Sequence, residues 1–173
     1  SMGDECAKFE QSFAKWQGSR FALLVNSGSS ANLLLVQAML NSGRWKVGDT
    51  IGVSSVTWST NVMPLFQLGL VPALIDVDIH TLNITEATLA AAHKKMSLTG
   101  LFITNCLGLS PDLIAISQYC AENSIEMIED NCESMGSSLG GKKTGSFGLG
   151  ASFSLFVGHH LSVIEGGIVC TDD

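Results

Sequence analysis

The chain has 173 residues, of which 46% are hydrophobic and 14% charged, and its net charge is −7. This length fits one domain with a sizeable core, and the negative charge argues against nucleic acid or an anionic membrane surface as a ligand. The excess of apolar residues predicts that a partner or a further domain covers part of the surface.

Short β-branched runs alternate with helix-length segments, which is typical of a mainly parallel sheet with helices on both faces. The predicted helices are 5–17, 29–42, 60–68, 85–96 and 112–123. The seven predicted strands are 21–26, 51–55, 71–76, 100–104, 125–129, 150–155 and 166–171. Thr85 and Asp112 are the expected caps of the last two helices. The last strand is predicted to be antiparallel, because the return before it is too short for a parallel crossover.

The first motif, NSGSSAN at 26–32, lies where the first strand gives way to an apolar helix. Small residues there leave backbone N–H groups open at a helix N-terminus, where the helix dipole also favours a phosphate. The spacing matches neither a dinucleotide-binding motif nor a P-loop. From these residues alone, a Ser/Gly turn that caps a buried helix stays open as the alternative.

Two further segments follow predicted strands. Trp58 in VTWSTN would stack on a planar ring, or it would pack in the core as tryptophans commonly do. Three potential metal ligands alternate at strand spacing and would face the same side of an extended chain: Asp76, Asp78 and His80. A polar turn that closes the strand is the favoured interpretation, so we predict no metal site there.

Acidic residues end the fifth strand, in IEDNCESMG at 128–136. A carboxylate at the C-terminal end of a strand in an open α/β sheet points into the crevice where ligands bind. Asp130 would there pair with a protonated heterocyclic nitrogen, and Glu133 lies one short step beyond it. A strand-terminating turn with solvated acids is the alternative.

The Gly-rich segment 136–150, which contains Lys142 and Lys143, is predicted to be a flexible surface connection, with a direct role in substrate binding as the alternative. The five cysteines have no C-x-x-C spacing, which favours reduced thiols in the cytoplasm.

The stretch SLFVGHHLSVIEGG at 154–167 places His159 and His160 between an apolar run and a glycine pair. A lone histidine is usually structural, and adjacent side chains of an extended segment point to opposite sides. A metal bound by both histidines is therefore not expected.

In this order and spacing, the motifs resemble those of the DegT/DnrJ/EryC1/StrS family, which comprises sugar aminotransferases and dehydrases that bind pyridoxal phosphate. The resemblance covers nearly the whole chain, from FEQSFAKWQGSRFALLVNSGSSANLLL to GGIVCTDD. It implies an aspartate-aminotransferase-like large domain of fold type I over residues 1–173. The family's N-terminal segment and C-terminal small domain are expected to lie outside this stretch.

By position, the resemblance implies a cofactor site made of Gly28, Ser29, Ser30, Trp58, Asp130, Glu133 and Ser154. The first three would cradle the cofactor phosphate, to which Ser154 adds a hydroxyl. The tryptophan would stack on the pyridine ring, and Asp130 would face its nitrogen. A carboxylate at that nitrogen keeps it protonated, which preserves the capacity of the ring to accept electrons.

Most members of the family carry the Schiff-base lysine five residues after the phosphate-binding serine, and here that position is His159. Imidazole cannot form that covalent bond. The same replacement marks the family's branch of sugar 3-dehydrases. The resemblance therefore implies an enzyme that uses pyridoxal or pyridoxamine 5′-phosphate on a nucleotide-linked 4-keto-6-deoxy sugar, with His159 as the base. A histidine suits this role because its unperturbed pKa of about 6.5 lies near working pH.

The resemblance further implies an amino donor such as glutamate, a homodimer, and a role in deoxysugar and lipopolysaccharide O-antigen biosynthesis. Two alternatives stay open. An ordinary sugar aminotransferase would need Lys142 or Lys143 to reach the cofactor. A non-catalytic domain would retain only the fold.

Overall fold

The computed structural model describes residues 3–173. Its helices are α1 Asp4–Gln17, α2 Gly28–Asn41, α3 Ser59–Gln67, α4 Glu86–Met96 and α5 Leu113–Glu122, with a 3₁₀ turn at Cys106–Gly108. Its strands are β1 Phe21–Val25, β2 Thr50–Ser54, β3 Val71–Ile75, β4 Gly100–Thr104, β5 Glu126–Asp130, β6 Ser138–Leu139, β7 Lys142–Lys143, β8 Gly150–Ser154 and β9 Gly167–Thr171. Every predicted helix and strand is present, and each end lies within one residue of its predicted position.

Seven strands form one sheet in the order β1-β9-β8-β5-β4-β2-β3. The neighbours from β8 to β3 are parallel, whereas β9 runs antiparallel to both β8 and β1. The predicted mixed, mostly parallel sheet and its antiparallel last strand are thus confirmed. The carboxyl ends of five parallel strands consequently meet at one edge of the sheet.

Helices cover both faces of the sheet, as the alternation of side chains along each strand requires. Phe102 and Ile128 pack into one cluster with residues of α2 and α3. Their neighbours Leu101 and Met127 face the opposite side, in a second cluster with α4 and α5. A third cluster joins Phe13 of α1 to β8 and β9. Asp130 follows Ile128 by two residues and therefore lies on the face of α2 and α3.

Both expected caps are present. The Thr85 side chain accepts the backbone N–H of Thr88 and completes a reciprocal capping box. The Asp112 carboxylate accepts the N–H of Ala115 at the start of α5. Because each cap fixes where the chain leaves a loop and enters a helix, both helices begin within one residue of the position that the sequence predicts.

The prediction of a flexible surface connection over 136–150 is wrong. Its first part forms the β6–β7 hairpin, and Thr144 is fully buried. The backbone N–H groups of Gly145, Phe147 and Gly148 all bind the carboxylate of the buried Glu129. A strand carboxylate therefore anchors the segment, a contact that a glycine-rich sequence does not reveal.

Asp76, Asp78 and His80 lie in a turn after β3, where the Asp78 carboxylate accepts the backbone N–H of His80. The polar-turn interpretation is therefore confirmed. None of the helices in residues 3–173 combines the length and apolar character needed to cross a membrane.

Candidate active site

A cavity of about 680 Å³ opens at the carboxyl ends of the parallel strands, beside the first turns of α2 and α3. Seven of the eight residues predicted for the site line it: Gly28, Ser29, Trp58, Asp130, Glu133, Ser154 and His159. Ser30 is not among the lining residues. The topology thus gathers segments from five different strand ends into one concave surface, as expected for ligand sites in α/β sheets.

The N-terminus of α2 forms one wall of the cavity. Ser27 caps the helix, and its side-chain oxygen accepts the backbone N–H of Ser30 at 3.1 Å. Among residues 3–173, no group accepts the backbone N–H of Gly28 or Ser29. The helix start therefore offers two free N–H donors and the positive end of the helix dipole, which together favour an anion. The N–H of Ser30 is already used, so only its hydroxyl is available to a ligand.

Ser154 at the end of β8 lies directly against this helix start. A Cβ atom added to Gly28 would come within 2.6 Å of the Cβ of Ser154 and 2.9 Å of its Oγ. Only glycine at position 28 lets the serine approach so closely. The Oγ of Ser154 accepts the backbone N–H of Phe156 at 3.2 Å, which leaves its hydroxyl hydrogen available to a ligand in the cavity.

Asp130 contributes a carboxylate to the cavity. It is 5% exposed, and its Oδ2 accepts the side-chain amides of Asn32 at 2.9 Å and Asn61 at 2.7 Å. Its Oδ1 accepts the backbone N–H of Cys132 at 2.9 Å. Within residues 3–173, no salt bridge involves this carboxylate.

Trp58 and Glu133 contribute an aromatic face and a second carboxylate. Trp58 is 71% exposed and immediately precedes α3, so its indole is free to contact a planar ring. The Oε2 of Glu133 accepts the backbone N–H of Leu107 at 3.2 Å, which ties the β5 end to the loop after β4.

His159 reaches the cavity from the irregular segment between β8 and β9. Its backbone N–H donates to the carbonyl of Phe156 at 2.9 Å, and its ring meets the Phe156 ring edge-on at 6.2 Å between centroids. The segment turns at this point and is not extended. His160 is exposed and does not line the cavity.

Neither lysine of the Gly-rich segment lines the cavity. The Nζ of Lys143 donates to the carbonyl of Trp16 at 2.6 Å, and the Nζ of Lys142 lies 4.7 Å from the centroid of the Phe147 ring. This arrangement gives no support to the alternative in which Lys142 or Lys143 supplies the primary amine of an aminotransferase.

Sequence reasoning overlooked several residues of the site. Glu165 lines the cavity together with His159, and the buried Asn32 and Asn61 hold Asp130. Cys132 lies beside them, and burial together with the charge of Asp130 raises its pKa well above the usual value. An asparagine inside the otherwise apolar run ANLLL was the one signal that pointed to this polar network.

The sequence profile of the DegT/DnrJ/EryC1/StrS aminotransferase family matches residues 1–173. The chain belongs to this family. The predicted resemblance is thus confirmed, and so is the fold: two solved structures of GDP-4-keto-6-deoxymannose-3-dehydratase superpose on the chain. One is a variant with bound GDP-perosamine, at a TM-score of 0.93 and 39% identity over 99% of this chain and 45% of that one. The other holds a trapped PLP-glutamate geminal diamine, at a TM-score of 0.94 and 40% identity over 99% of this chain and 45% of that one.

Among members of the DegT/DnrJ/EryC1/StrS family of known function, GDP-4-keto-6-deoxy-D-mannose 3-dehydratase of Yersinia pseudotuberculosis is 40% identical to this chain over 175 aligned positions. The match covers all of this chain and 44% of the Yersinia protein. The chain therefore spans less than half the length of these family members.

Proposed function

We propose that this chain is the cofactor-binding part of a nucleotide-sugar 3-dehydratase that uses pyridoxal or pyridoxamine 5′-phosphate. The observation that carries the proposal is the imidazole of His159 on a cavity that no lysine of residues 3–173 lines. A family member that transfers amino groups needs a primary amine at this site, whereas a dehydratase needs a base that does not trap its cofactor.

The residues of the cavity fit the chemistry of this cofactor. The two free N–H groups at the start of α2 and the Ser154 hydroxyl would hold the phosphate, since all three are donors at a helix N-terminus. Asp130 would hold the ring nitrogen, and Trp58 would cover one face of the ring. When bound, the cofactor supplies a ring that accepts electrons from the bonds next to it.

His159 would act as the general base and acid of the reaction. The residue lines the cavity and is half-buried, so a ring nitrogen would take a proton from a bound ligand and later return one. Glu133 and Glu165 line the same cavity and add negative charge to it.

The substrate proposed is a GDP- or other nucleotide-linked 4-keto-6-deoxy sugar, with glutamate as amino donor, since relatives have been solved with GDP-perosamine and with a PLP-glutamate adduct. In the part of the chain that the structure describes, no Lys or Arg lines the cavity. The cations that a nucleotide diphosphate requires would therefore come from elsewhere in the protein or from a second subunit. We place the reaction in the cytoplasm, where the five thiols would stay reduced.

A borohydride experiment tests the proposal. The full-length protein is mixed with pyridoxal phosphate, treated with borohydride, digested and examined by mass spectrometry. We expect no cofactor attached to the protein, because none of the described lysines lines the cavity. A stoichiometric adduct on Lys142 or Lys143 would contradict the dehydratase assignment and favour the aminotransferase.

A further inference from the structure

Two buried asparagines converge on one oxygen of Asp130. Asn32 on α2 and Asn61 on α3 both donate a side-chain N–H to Oδ2, at 2.9 and 2.7 Å. Asn32 is 1% exposed and Asn61 is fully buried. Each comes from a different helix, so the carboxylate is fixed between two separate elements.

The orientation of both amides is determined by their surroundings. The Ser152 hydroxyl donates to Oδ1 of Asn32, which leaves the Nδ2 of that amide to face Asp130. Oδ1 of Asn61 is buried and has no hydrogen-bond partner among residues 3–173. A buried acceptor without a partner is costly, and the reversed amide would set this oxygen against the carboxylate. Asn61 thus directs its N–H groups at Asp130, and its own side-chain oxygen is left without a hydrogen-bond partner among residues 3–173.

The hydrogen bonds leave one acceptor position on the carboxylate. A carboxylate offers about four lone-pair positions, two on each oxygen. Oδ2 uses both on the two amides, whereas Oδ1 uses one, on the backbone N–H of Cys132. The remaining position therefore belongs to Oδ1, and Asp130 lines the cavity. Three neutral donors hold a buried negative charge that no cation of residues 3–173 neutralises.

We propose that Asn32 and Asn61 are positioning residues that hold the Asp130 carboxylate in place and direct the last lone pair of Oδ1 at the ligand. The inference rests on the proposed function and deepens it. A fixed, buried carboxylate with one open acceptor position favours a ligand ring that carries an N–H⁺ group over a ring of the same shape that lacks one. The two asparagines would thereby set the specificity of the cavity for a cationic nitrogen heterocycle.

The test compares two ligands of nearly identical shape. Binding of pyridoxamine 5′-phosphate and of its 1-deaza analogue, in which carbon replaces the ring nitrogen, is measured by calorimetry with the full-length protein. The wild type should prefer the parent compound. Asn32→Leu and Asn61→Leu should each reduce this preference about tenfold, the effect of losing one hydrogen bond to a charge. Asn41→Leu, at the exposed end of α2, is the control and should leave the preference unchanged.

The outcomes separate this inference from the proposed function. Equal weakening of both ligands in the two variants would give the asparagines a merely structural role and overturn the inference. A wild type that binds both ligands equally well would also overturn it while leaving cofactor binding intact. A wild type that binds neither would contradict the proposed function.

A second set of variants covers the case in which leucine prevents folding. Asn32→Ala and Asn61→Ala remove the same N–H groups without adding an apolar branch. With cofactor labelled by ¹⁵N in the ring, the wild type should give the chemical shift of a protonated nitrogen near neutral pH, and the alanine variants should move it toward the neutral form. An unprotonated nitrogen in the wild type would overturn the inference.

Discussion

In the proposed function, His159 would determine which reactions the cavity supports, because a lysine at the same place would offer a primary amine. We expect His159→Lys to attach pyridoxal phosphate covalently through that amine, and His159→Asn to abolish 3-deoxygenation because an amide is not a base. Mass spectrometry after borohydride reduction and a product assay measure the two effects. His160→Asn is the matched control, because His160 lies outside the cavity, and it should keep most of the activity. Equal loss in both asparagine variants would remove the special role of His159.

Cys132 illustrates how the same cavity suppresses reactivity. Burial raises the pKa of its thiol, and the charge of Asp130 raises it further. A raised pKa lowers the thiolate fraction at neutral pH, and only the thiolate reacts readily with alkylating reagents. We expect iodoacetamide to modify Cys132 at least about tenfold more slowly than the half-buried Cys6. Peptide mass spectrometry over a time course measures both rates, and comparable rates would contradict this expectation.

At the scale of the elements, the end of β5 presents two neighbouring carboxylates to opposite faces of the sheet. Asp130 faces the cavity, whereas Glu129 holds the turn at 145–148 and also accepts the Asn105 amide at 3.0 Å. A glutamine at 129 would set its own N–H groups against those donors. We expect Glu129→Gln to lower the free energy of unfolding by about 2–4 kcal/mol.

Urea denaturation measures the effect of this substitution, and Glu126→Gln on the same strand is its control. Glu126 forms only a partly exposed ion pair with Arg44, so its replacement should cost less than about 1 kcal/mol. If the two variants were equally stable, Glu129 would not be the anchor of the turn.

At the scale of the whole molecule, many large apolar side chains are exposed to solvent, and such a surface is commonly buried against a partner. Leu74 and Phe66 are more than half exposed, and so are Val157 and Ile164 beside the cavity. We expect the full-length protein to form a homodimer that buries part of this surface. Sedimentation velocity measures the association, and a monomer at high concentration would contradict the expectation. A charged substitution at Ile164 should weaken the dimer if this segment lies in the interface, whereas the same change at the solvated Val47 should not.

The order of helices and strands could be predicted because this sequence alternates clearly between two periodicities and places its caps at expected positions. Asp130 and Trp58 could be predicted because strand ends in a parallel sheet converge, whereas Ser154 and His159 were implied by the resemblance to the family. Local sequence could not reveal that Glu129 binds a turn sixteen or more residues away, or that Asn32 and Asn61 from two helices meet at one oxygen. Such contacts depend on the assembled layers and leave no periodic signal.

The position of β9 in the sheet has a consequence for folding during synthesis on the ribosome. β9 is synthesised after the other six strands of this sheet, yet it lies between β8 and β1, where Phe21 pairs with Thr171. Gly167 also lies against the backbone of Ser27, so β9 supports the loop that begins α2. Until this strand emerges, β1 has no partner in the sheet, and the loop that begins α2 lacks the support of β9. The cavity is therefore completed only after β9 has been synthesised, and a nascent chain stalled before residue 167 exposes two unpaired strand edges to other chains.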